Sequence, residues 1–468
     1  MSINILPNDV LLEIFDFYVI SDQHFKRAIE AWQTLLHVCR QWRNIVFGSP
    51  RRLDLRLFCE TEAQTPLRDT LDIWPAFPLI IQGSANRPEN LDNVLAALER
   101  SDRVCRVYLM DISSWHLKNV SIAMQRPFPE LTALYLSSRE EVTVVPDSVF
   151  GGSTPRLRYL GLHGIPFSGL PKLLLSATHL DYLILTKIPH SGYFSPEALV
   201  TALSTLTSLG SLILGFQSPQ SLPSGESRRP PPLTRSVLPI LRQLSFTGVS
   251  EYLEDLVARI DTPRLQFLDM TLFNQIILDT PQANQFIRRT PVLEGLEVAR
   301  LAFRDYTVMV NISSTNRRLR VKIPCRELDW QVSSLEQVFT SILPPLSALE
   351  DLYIYEYPDS PPDWKDNIEN MLWLELLLPY SSAKNLYLAK KFAEYIAPVL
   401  QELIGGGTIE VLPALENIFL EGLGVFGTIL DGIVKFIAAR ELSDHPVTVF
   451  PWERDVNSEI FWALEVDI

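Results

Sequence analysis

One hydrophobic pattern recurs along most of the chain: an apolar residue, two others, an apolar residue, one other, and an apolar residue. Good copies such as LTALYL and LRYLGL start at residues 131, 157, 180, 209, 241, 265, 293, 349 and 415. Weaker copies start at Val104, Asn316 and Ala383, and successive starts differ by 23 to 34 residues. Repeats of this length indicate a chain built from stacked supersecondary units.

Each copy ends in the alternation expected of a short strand, so that Leu160 and Leu162, for example, lie on the same face. One strand cannot bury such a face alone, whereas a stack of parallel strands builds a continuous core. The segments at 196–206 and 250–260 have helical apolar spacing and acidic first turns. We therefore predict an α/β solenoid with a parallel sheet on its concave side and helices on its convex side; a doubly wound α/β domain is the alternative.

The repeats resemble the leucine-rich repeat family. Short-repeat members carry Asn or Cys a few residues after the strand, where a side-chain ladder satisfies turning backbone. Here that place holds residues such as Arg139, Ile165 and Gln217. The long, irregular period is more similar to the repeats of ubiquitin-ligase receptors than to those of secreted receptors. We assign residues 51–468 to this solenoid, and the Pro- and Ser-rich residues 217–236 to a disordered loop within it.

The first helix has a broader apolar surface than one core requires. At about 100° per residue, the apolar positions between Val10 and Tyr18 cover an arc of roughly 220°. A surface helix needs an apolar stripe of little more than about 100°. The excess predicts a partner surface or, alternatively, a helix that caps the repeats.

Two segments at the N-terminus, LPNDVLLEIF (6–15) and VCRQWRNIV (38–46), resemble the two halves of the F-box. This helical module docks onto a Skp adaptor, which links it to the cullin scaffold of an SCF ubiquitin ligase. The resemblance implies an F-box-like module at residues 1–50, although the insertion at 19–31 is longer than the family's usual link. The matching adaptor-facing and core positions are Leu6, Pro7, Val10, Leu11, Ile14, Phe15, Val38, Cys39, Trp42 and Ile45.

Residues between the buried leucines would face the concave side, where solenoids usually bind their partners. Aromatic and arginine side chains, which are enriched at interface hot spots, are frequent there. The predicted substrate-binding residues are Tyr135, Tyr182, Phe267, Asp269, Glu297, Arg318, Arg320, Lys322, Tyr353, Tyr355, Tyr387 and Phe419. The alternative is that the tyrosines only cover neighbouring strands.

Composition excludes several classes of protein. Hydrophobic residues make up 47% of the 468 residues, which predicts a substantial core. The formal net charge of −14 disfavours nucleic acid and anionic membranes as partners. The four cysteines form no CxxC pair, so neither a disulfide framework nor a zinc module is expected. A secretory signal is also absent from the pattern, and we expect a cytoplasmic or nuclear protein.

The sequence contains one motif typical of an enzyme, GLGVFG at 422–427, which matches the dinucleotide-binding pattern GxGxxG. Only about 40 residues follow it, too few to complete such a domain. The histidines form no pair with metal-ligand spacing. We expect no enzyme, cofactor or metal site, and the F-box resemblance implies an SCF subunit that binds a protein substrate. The alternatives are a repeat scaffold without a ubiquitin role and, more remotely, an oxidoreductase using Gly422, Gly424 and Gly427.

Overall fold

The computed structural model divides the chain into two compact units. It describes residues 6–20, 32–49, 53, 55–62, 67–74, 76–219, 234–273, 280–290, 295–325, 328–343, 346, 348–357, 369–402, 411–422, 429–442 and 444–454. Unit 1 comprises the described residues of Met1–Ser211, and unit 2 comprises those of Leu212–Pro219 and Ser224–Ile468. Most of the predicted loop, residues 220–233, lies outside the described residues.

Unit 1 begins with a helical head. Its elements are α1 (Asn8–Ile20), a helical segment at residues 32–36, and α2 (Arg40–Gly48). The buried ring of Phe15 packs on Trp42, with 4.7 Å between the ring centres. Cys39 caps α2, because its Sγ accepts a hydrogen bond from the backbone N–H of Trp42. The two sequence segments that resemble an F-box therefore pack against each other.

The head shares an aromatic core with the repeats that follow it. The Trp32 ring lies edge-on to Trp74 and Phe77, at 5.5 and 5.4 Å between ring centres. Phe47 packs on Phe77 at 5.9 Å. The indole of Trp32 also donates a hydrogen bond to the carbonyl of Arg56. The head is thus part of unit 1.

The strands of unit 1 form a parallel sheet in chain order, from β1 to β6. The strands are β1 (Leu57–Glu60), β2 (Leu79–Ser84), β3 (Val104–Met110), β4 (Ala133–Ser137), β5 (Tyr159–His163) and β6 (Tyr182–Ile188). The helices are α3 (Leu67–Ile73), α4 (Pro88–Leu98), α5 (Ser114–Ala123), α6 (Leu170–Leu174) and α7 (Pro196–Leu203). A doubly wound domain reverses its strand order at a switch point, and β1 to β6 contain no reversal.

The repeated leucines of unit 1 pair in register. Leu134, Leu160 and Leu183 are neighbours across β4, β5 and β6, and all three are buried. Outside the head, the helices pack on their neighbours in the chain, and α4 also lies against β1 and β2. In eight of the nine good sequence copies, counted over both units, the strand begins two residues after the copy starts. The sequence pattern therefore located these strands correctly.

Unit 2 contains a larger, mostly parallel sheet with the order β7-β9-β11-β14-β13-β12-β15-β16-β17-β18. Its strands are β7 (Ser211–Phe216), β8 (Ser236–Val237), β9 (Gln243–Gly248), β10 (Ile260–Asp261), β11 (Phe267–Leu272), β12 (Val298–Arg304), β13 (Thr307–Ser314), β14 (Arg317–Pro324), β15 (Asp351–Glu356), β16 (Asn385–Leu388), β17 (Asn417–Glu421) and β18 (Thr448–Trp452). The helices are α8 (Ser250–Ala258), α9 (Pro281–Arg288), α10 (Leu328–Gln337), α11 (Asn370–Leu377), α12 (Lys390–Glu402) and α13 (Ile429–Leu442). Strands β8 and β10 pair separately. The prediction of an α/β protein with a mostly parallel sheet is confirmed.

The prediction of a fully parallel sheet is wrong at β13, which pairs antiparallel with both β12 and β14. The links at 305–306 and 315–316 contain two residues each, whereas a parallel crossover needs a dozen or more. As a result the three strands lie in the sheet in the order β14-β13-β12, the reverse of their order in the chain. Strand β14 therefore pairs with β11, and β12 pairs with β15. The copy at residue 293 also differs, since β12 begins only at Val298, its last residue.

A short polar ladder crosses the start of three strands in unit 2. The Nδ2 of Asn417 donates to Oδ1 of Asn385 at 2.8 Å, and the Nδ2 of Asn385 donates to Oδ1 of Asp351 at 2.7 Å. The leucine-rich repeat resemblance implied a side-chain ladder after the strands, whereas this ladder joins the first residues of β15, β16 and β17. Its signal is an Asp or Asn two residues before Tyr353, Tyr387 and Phe419.

Candidate functional site

The predicted aromatic residues at the C-terminal end of the sheet come together. Tyr353, Tyr387 and Phe419 are direct register partners on β15, β16 and β17, so their side chains share a face. Leu352, Leu386 and Ile418, one position earlier, are buried on the other face. The Leu-aromatic alternation therefore separates a core face from an open face.

The aromatic rings form a stack, defined here as Tyr353, Tyr387, Phe419 and Phe450. The distances between successive ring centres are 4.0, 4.3 and 5.3 Å, with interplanar angles of 6°, 9° and 24°. Burial and the neighbouring Tyr387 raise the pKa of Tyr353, which keeps its hydroxyl protonated at neutral pH. The four rings, each partly exposed, offer a large and rigid apolar contact area.

Two further side chains frame the aromatic stack, and the sequence analysis missed both. Trp452 lies edge-on to Tyr353 and Tyr387, at 5.8 and 5.6 Å between ring centres. The guanidinium of Arg300 lies 4.9 Å from the centre of the Tyr353 ring, a cation–π contact. Trp452 lies at the end of β18, a strand that no copy of the repeat predicted.

Three predicted charged residues form a buried ion pair network on the same face. The Nη2 of Arg318 lies 3.1 Å from Oδ2 of Asp269, and the Nε of Arg320 lies 3.7 Å from Oδ1. All three residues are only 5 to 6% exposed. Phe267 is half-buried beside them, with the Arg318 guanidinium 5.5 Å from its ring centre. The network therefore orders this part of the sheet and leaves little of its own surface exposed.

A pocket of about 250 Å³ opens beside this network. Its lining comes from five strands, β9, β11, β12, β13 and β14, and includes Ser245, Thr247, Asp269, Arg304, Arg320 and Lys322. Arg304 lies over the ring of Tyr357, 3.9 Å from its centre. Gln331 holds the strands behind the pocket, because its Nε2 donates to the carbonyls of Arg304 and Cys325. We name this site, lined by these six residues, the cationic pocket.

Some predicted substrate-binding residues lie elsewhere. Tyr355 is 2% exposed and covered by the Arg454 guanidinium, 4.6 Å from its ring centre, so it offers no free surface. Glu297 is exposed but precedes β12 and is not a strand residue. Tyr135 and Tyr182 belong to unit 1, where Tyr182 packs on Tyr159 at 6.2 Å. Tyr135 lies over Gly161, where a Cβ would be 2.5 Å from the tyrosine ring.

The predicted adaptor-binding residues separate into two groups. Leu11, Phe15 and Ile45 are buried and form the core of the head, while Leu6, Cys39 and Trp42 are half-buried. Pro7 and Val38 are exposed. Four apolar residues remain exposed along one side of α1: Val10 (42%), Ile14 (41%), Phe17 (79%) and Tyr18 (45%). We name these four the α1 stripe; at about 100° per residue they lie within a 100° arc of the helix.

The features that bear on metal, nucleotide and nucleophilic chemistry are few among the described residues. They contain no group of three His, Cys, Asp or Glu side chains that could hold a metal ion. Gly422 is in the left-handed region at φ 69°, but Gly424 and Gly427 lie outside the described residues. Burial raises the pKa of the Cys59 and Cys325 thiols to about 12, so neither is a ready nucleophile. Among the described helices, none is long and apolar enough to cross a membrane.

Comparison with known proteins identifies no family. No family model matches the chain, and no curated protein matches it significantly.

Proposed function

We propose that this chain is the substrate-recognition subunit of an SCF-type ubiquitin ligase. In this proposal an F-box-like head binds a Skp adaptor and, through it, a cullin scaffold, while leucine-rich-like repeats bind a protein substrate. The observation that carries the proposal is the exposed α1 stripe. Residues of the same helix that face the head's core are buried, whereas the four stripe residues are 41 to 79% exposed among the described residues. Contiguous apolar surface of this kind marks an interaction site.

The chemistry expected of a partner follows from the stripe. Val10, Ile14 and Phe17 follow the i, i+4, i+7 spacing by which a helix inserts an apolar face into a groove. Val38 is 55% exposed on the chain segment just before α2. The expected partner is therefore an apolar groove on the adaptor, not a charged surface.

Unit 2 supplies the proposed substrate surface. The aromatic stack with Arg300 and Trp452 has the side chains that dominate interface hot spots. The in-register pairing of the repeated leucines supports the proposal that the strands and helices are arranged as a leucine-rich-repeat-like solenoid. The chain itself would contribute proximity, raising the effective concentration of substrate near a conjugating enzyme. This role places the protein in the cytosol or the nucleus.

The test is a binding assay between the purified full-length chain and a purified Skp adaptor. The variant Val10→Asp with Ile14→Asp puts two charges on the α1 stripe while leaving the buried side of the helix intact. The matched control, Ile122→Asp with Val434→Asp, changes two equally exposed helix positions, 56% and 53% exposed, in the same way. We expect wild type and control to bind and the stripe variant to lose at least tenfold in affinity.

The opposite outcome supports a second candidate, a repeat scaffold without a ubiquitin role. The packing of Trp32 and Phe47 on Trp74 and Phe77 favours this candidate, because a capping head would make the same contacts. A folded wild-type chain that does not bind the adaptor would contradict the ligase proposal and favour the scaffold.

A further inference from the structure

We propose that the cationic pocket of unit 2 is a binding site for a phosphoryl group. The site does not depend on adaptor binding, and it would stand even if the α1 stripe were a cap. The charge of the pocket, its hydrogen-bond donors and its volume support the proposal.

The pocket concentrates positive charge in an acidic protein. Arg304, Arg320 and Lys322 line it, and Asp269 is the carboxylate among the described lining residues. That carboxylate is already engaged by Arg318 and Arg320. Three cations and one carboxylate among the lining side chains make this wall of the pocket mainly basic, although the whole chain carries −14. A phosphoryl group carries about −1.5 to −2 at neutral pH, which suits a basic wall.

The donors around the pocket suit an oxyanion. Hydroxyl groups of Ser245, Thr247, Thr271 and Thr307 line it together with the cations. The guanidinium of Arg304 is held by the Tyr357 ring, and its buried Nε has no hydrogen-bond partner among the described residues. Buried N–H groups normally find an acceptor, and an anionic oxygen is the acceptor that binds a guanidinium most strongly.

The volume favours a group at the end of a ligand. Pockets that enclose whole small molecules measure about 300 to 1,000 Å³, whereas this one measures about 250 Å³. The rest of the ligand would extend across the sheet face. Strand β12 connects the two surfaces, because it carries Arg304 in the pocket and Arg300 beside the aromatic stack.

Two sources of the phosphoryl group fit this chemistry: a phosphorylated side chain of a protein, or a small phosphorylated molecule. The probes are inorganic phosphate, N-acetyl-phosphoserine amide and glucose 6-phosphate, with N-acetyl-serine amide and glucose as uncharged counterparts. Binding to the full-length chain is measured by calorimetry and by the rise in melting temperature. A ligand that binds only the folded state raises that temperature with concentration.

We expect all three phosphoryl probes to bind and the uncharged counterparts not to bind. The variant Arg304→Gln should weaken binding at least tenfold, and Lys322→Gln should do the same if the first variant folds poorly. The matched control is Arg317→Gln, an equal charge change at an exposed position of β14 outside the pocket lining. It should bind as wild type does.

The probes also separate the two sources. Tighter binding of phosphoserine amide than of inorganic phosphate supports a phosphorylated protein side chain, and tighter binding of glucose 6-phosphate supports a small molecule. Absence of binding by every phosphoryl probe would overturn the site, as would equal affinity in wild type, Arg304→Gln and Lys322→Gln. Adaptor binding by the same preparations reports separately on the proposed function.

Discussion

At the scale of single residues, strand alternation assigns two roles to neighbouring side chains. In β15, Leu352 and Ile354 are buried in the core, while Tyr353 between them joins the aromatic stack. The same alternation puts Arg318, Arg320 and Lys322 on one face of β14 and Leu319 and Val321 on the other. The hydrophobic core and the opposite face of the sheet therefore use different residues of the same strand.

The aromatic stack should be energetically coupled. A double-mutant cycle with Tyr353→Ala and Tyr387→Ala, measured by urea unfolding, should give a coupling free energy of about 0.5 to 1.5 kcal/mol, as expected for stacked rings. The control cycle pairs Tyr387 with Tyr306, an exposed residue in the β12–β13 turn. Equal coupling in both cycles would show that the stack is not an interacting unit.

The buried thiol of Cys59 should make stability depend on pH. Burial raises its pKa to about 12 in the folded state, whereas an exposed thiol titrates near about 8.5. The folded state therefore holds this proton more tightly than the unfolded state does. The resulting contribution of the Cys59 thiol to the free energy of unfolding is complete below about pH 8.5, and it is lost as the pH rises towards the folded-state pKa.

Urea unfolding at pH 9 and pH 10 measures this effect. The stability difference between wild type and Cys59→Ala should fall by about 1 kcal/mol over that pH unit. Leu57→Ala, a buried and non-titrating position on the same strand, should give a difference that does not change with pH. A constant difference for Cys59→Ala would contradict the prediction.

At the scale of elements, a side chain of one repeat caps the helix of the next repeat. The buried carboxylate of Glu254 on α8 accepts hydrogen bonds from the backbone N–H groups of Gln282 and Ala283, at 2.8 and 2.7 Å. These groups lie in the first turn of α9 and have no acceptor within their own helix. The carboxylate also interacts favourably with the positive end of that helix.

Removing this cap should destabilise unit 2. We expect Glu254→Ala to lower the free energy of unfolding by about 1 to 3 kcal/mol, because it leaves one buried and one part-buried N–H group without their acceptor. Glu254→Gln keeps one acceptor oxygen and should cost less. Glu251→Ala, on the exposed side of α8, should change stability by less than about 0.5 kcal/mol. Equal losses for Glu254→Ala and Glu251→Ala would contradict a capping role.

At the scale of the whole molecule, the head and the first repeats form one folding unit. Trp32 and Phe47 from the head and Trp74 and Phe77 from the segment before β2 pack together, so each side covers apolar surface of the other. The rings of the α1 stripe are not part of this aromatic core among the described residues, although the Tyr18 hydroxyl lies 3.2 Å from Oγ1 of Thr34 within the head.

Deleting residues 1–50 should therefore destabilise unit 1. Truncating a buried tryptophan alone costs about 3 to 5 kcal/mol, and the deletion removes Trp32 together with Phe47. We expect residues 51–468 to melt at a lower temperature than the full chain and to expose apolar surface to a hydrophobic dye. The Val10→Asp, Ile14→Asp variant should melt as wild type does. If residues 51–468 retained the full melting temperature, the head would be an independent module.

The recurring hydrophobic pattern by itself determined most strand positions and which residues of those strands are buried. It did so because a period of two within a strand and a repeat of 23 to 34 residues are properties of local sequence. The same alternation predicted that Tyr353, Tyr387 and Phe419 share a face. It also put Asp269, Arg318 and Arg320 on that face, but their contact as a buried network follows from the pairing of β11 with β14.

Only the tertiary structure decided the antiparallel β12–β13–β14 segment, the cationic pocket and the exposure of the α1 stripe. The pocket joins Ser245 to Lys322 across strands whose spatial order differs from their chain order, so no local pattern could reveal it. Likewise, the helical period shows that α1 is apolar on two sides, but only packing shows which side is covered. Long-range pairing and burial depend on what lies next to a residue in space, which neighbouring sequence does not determine.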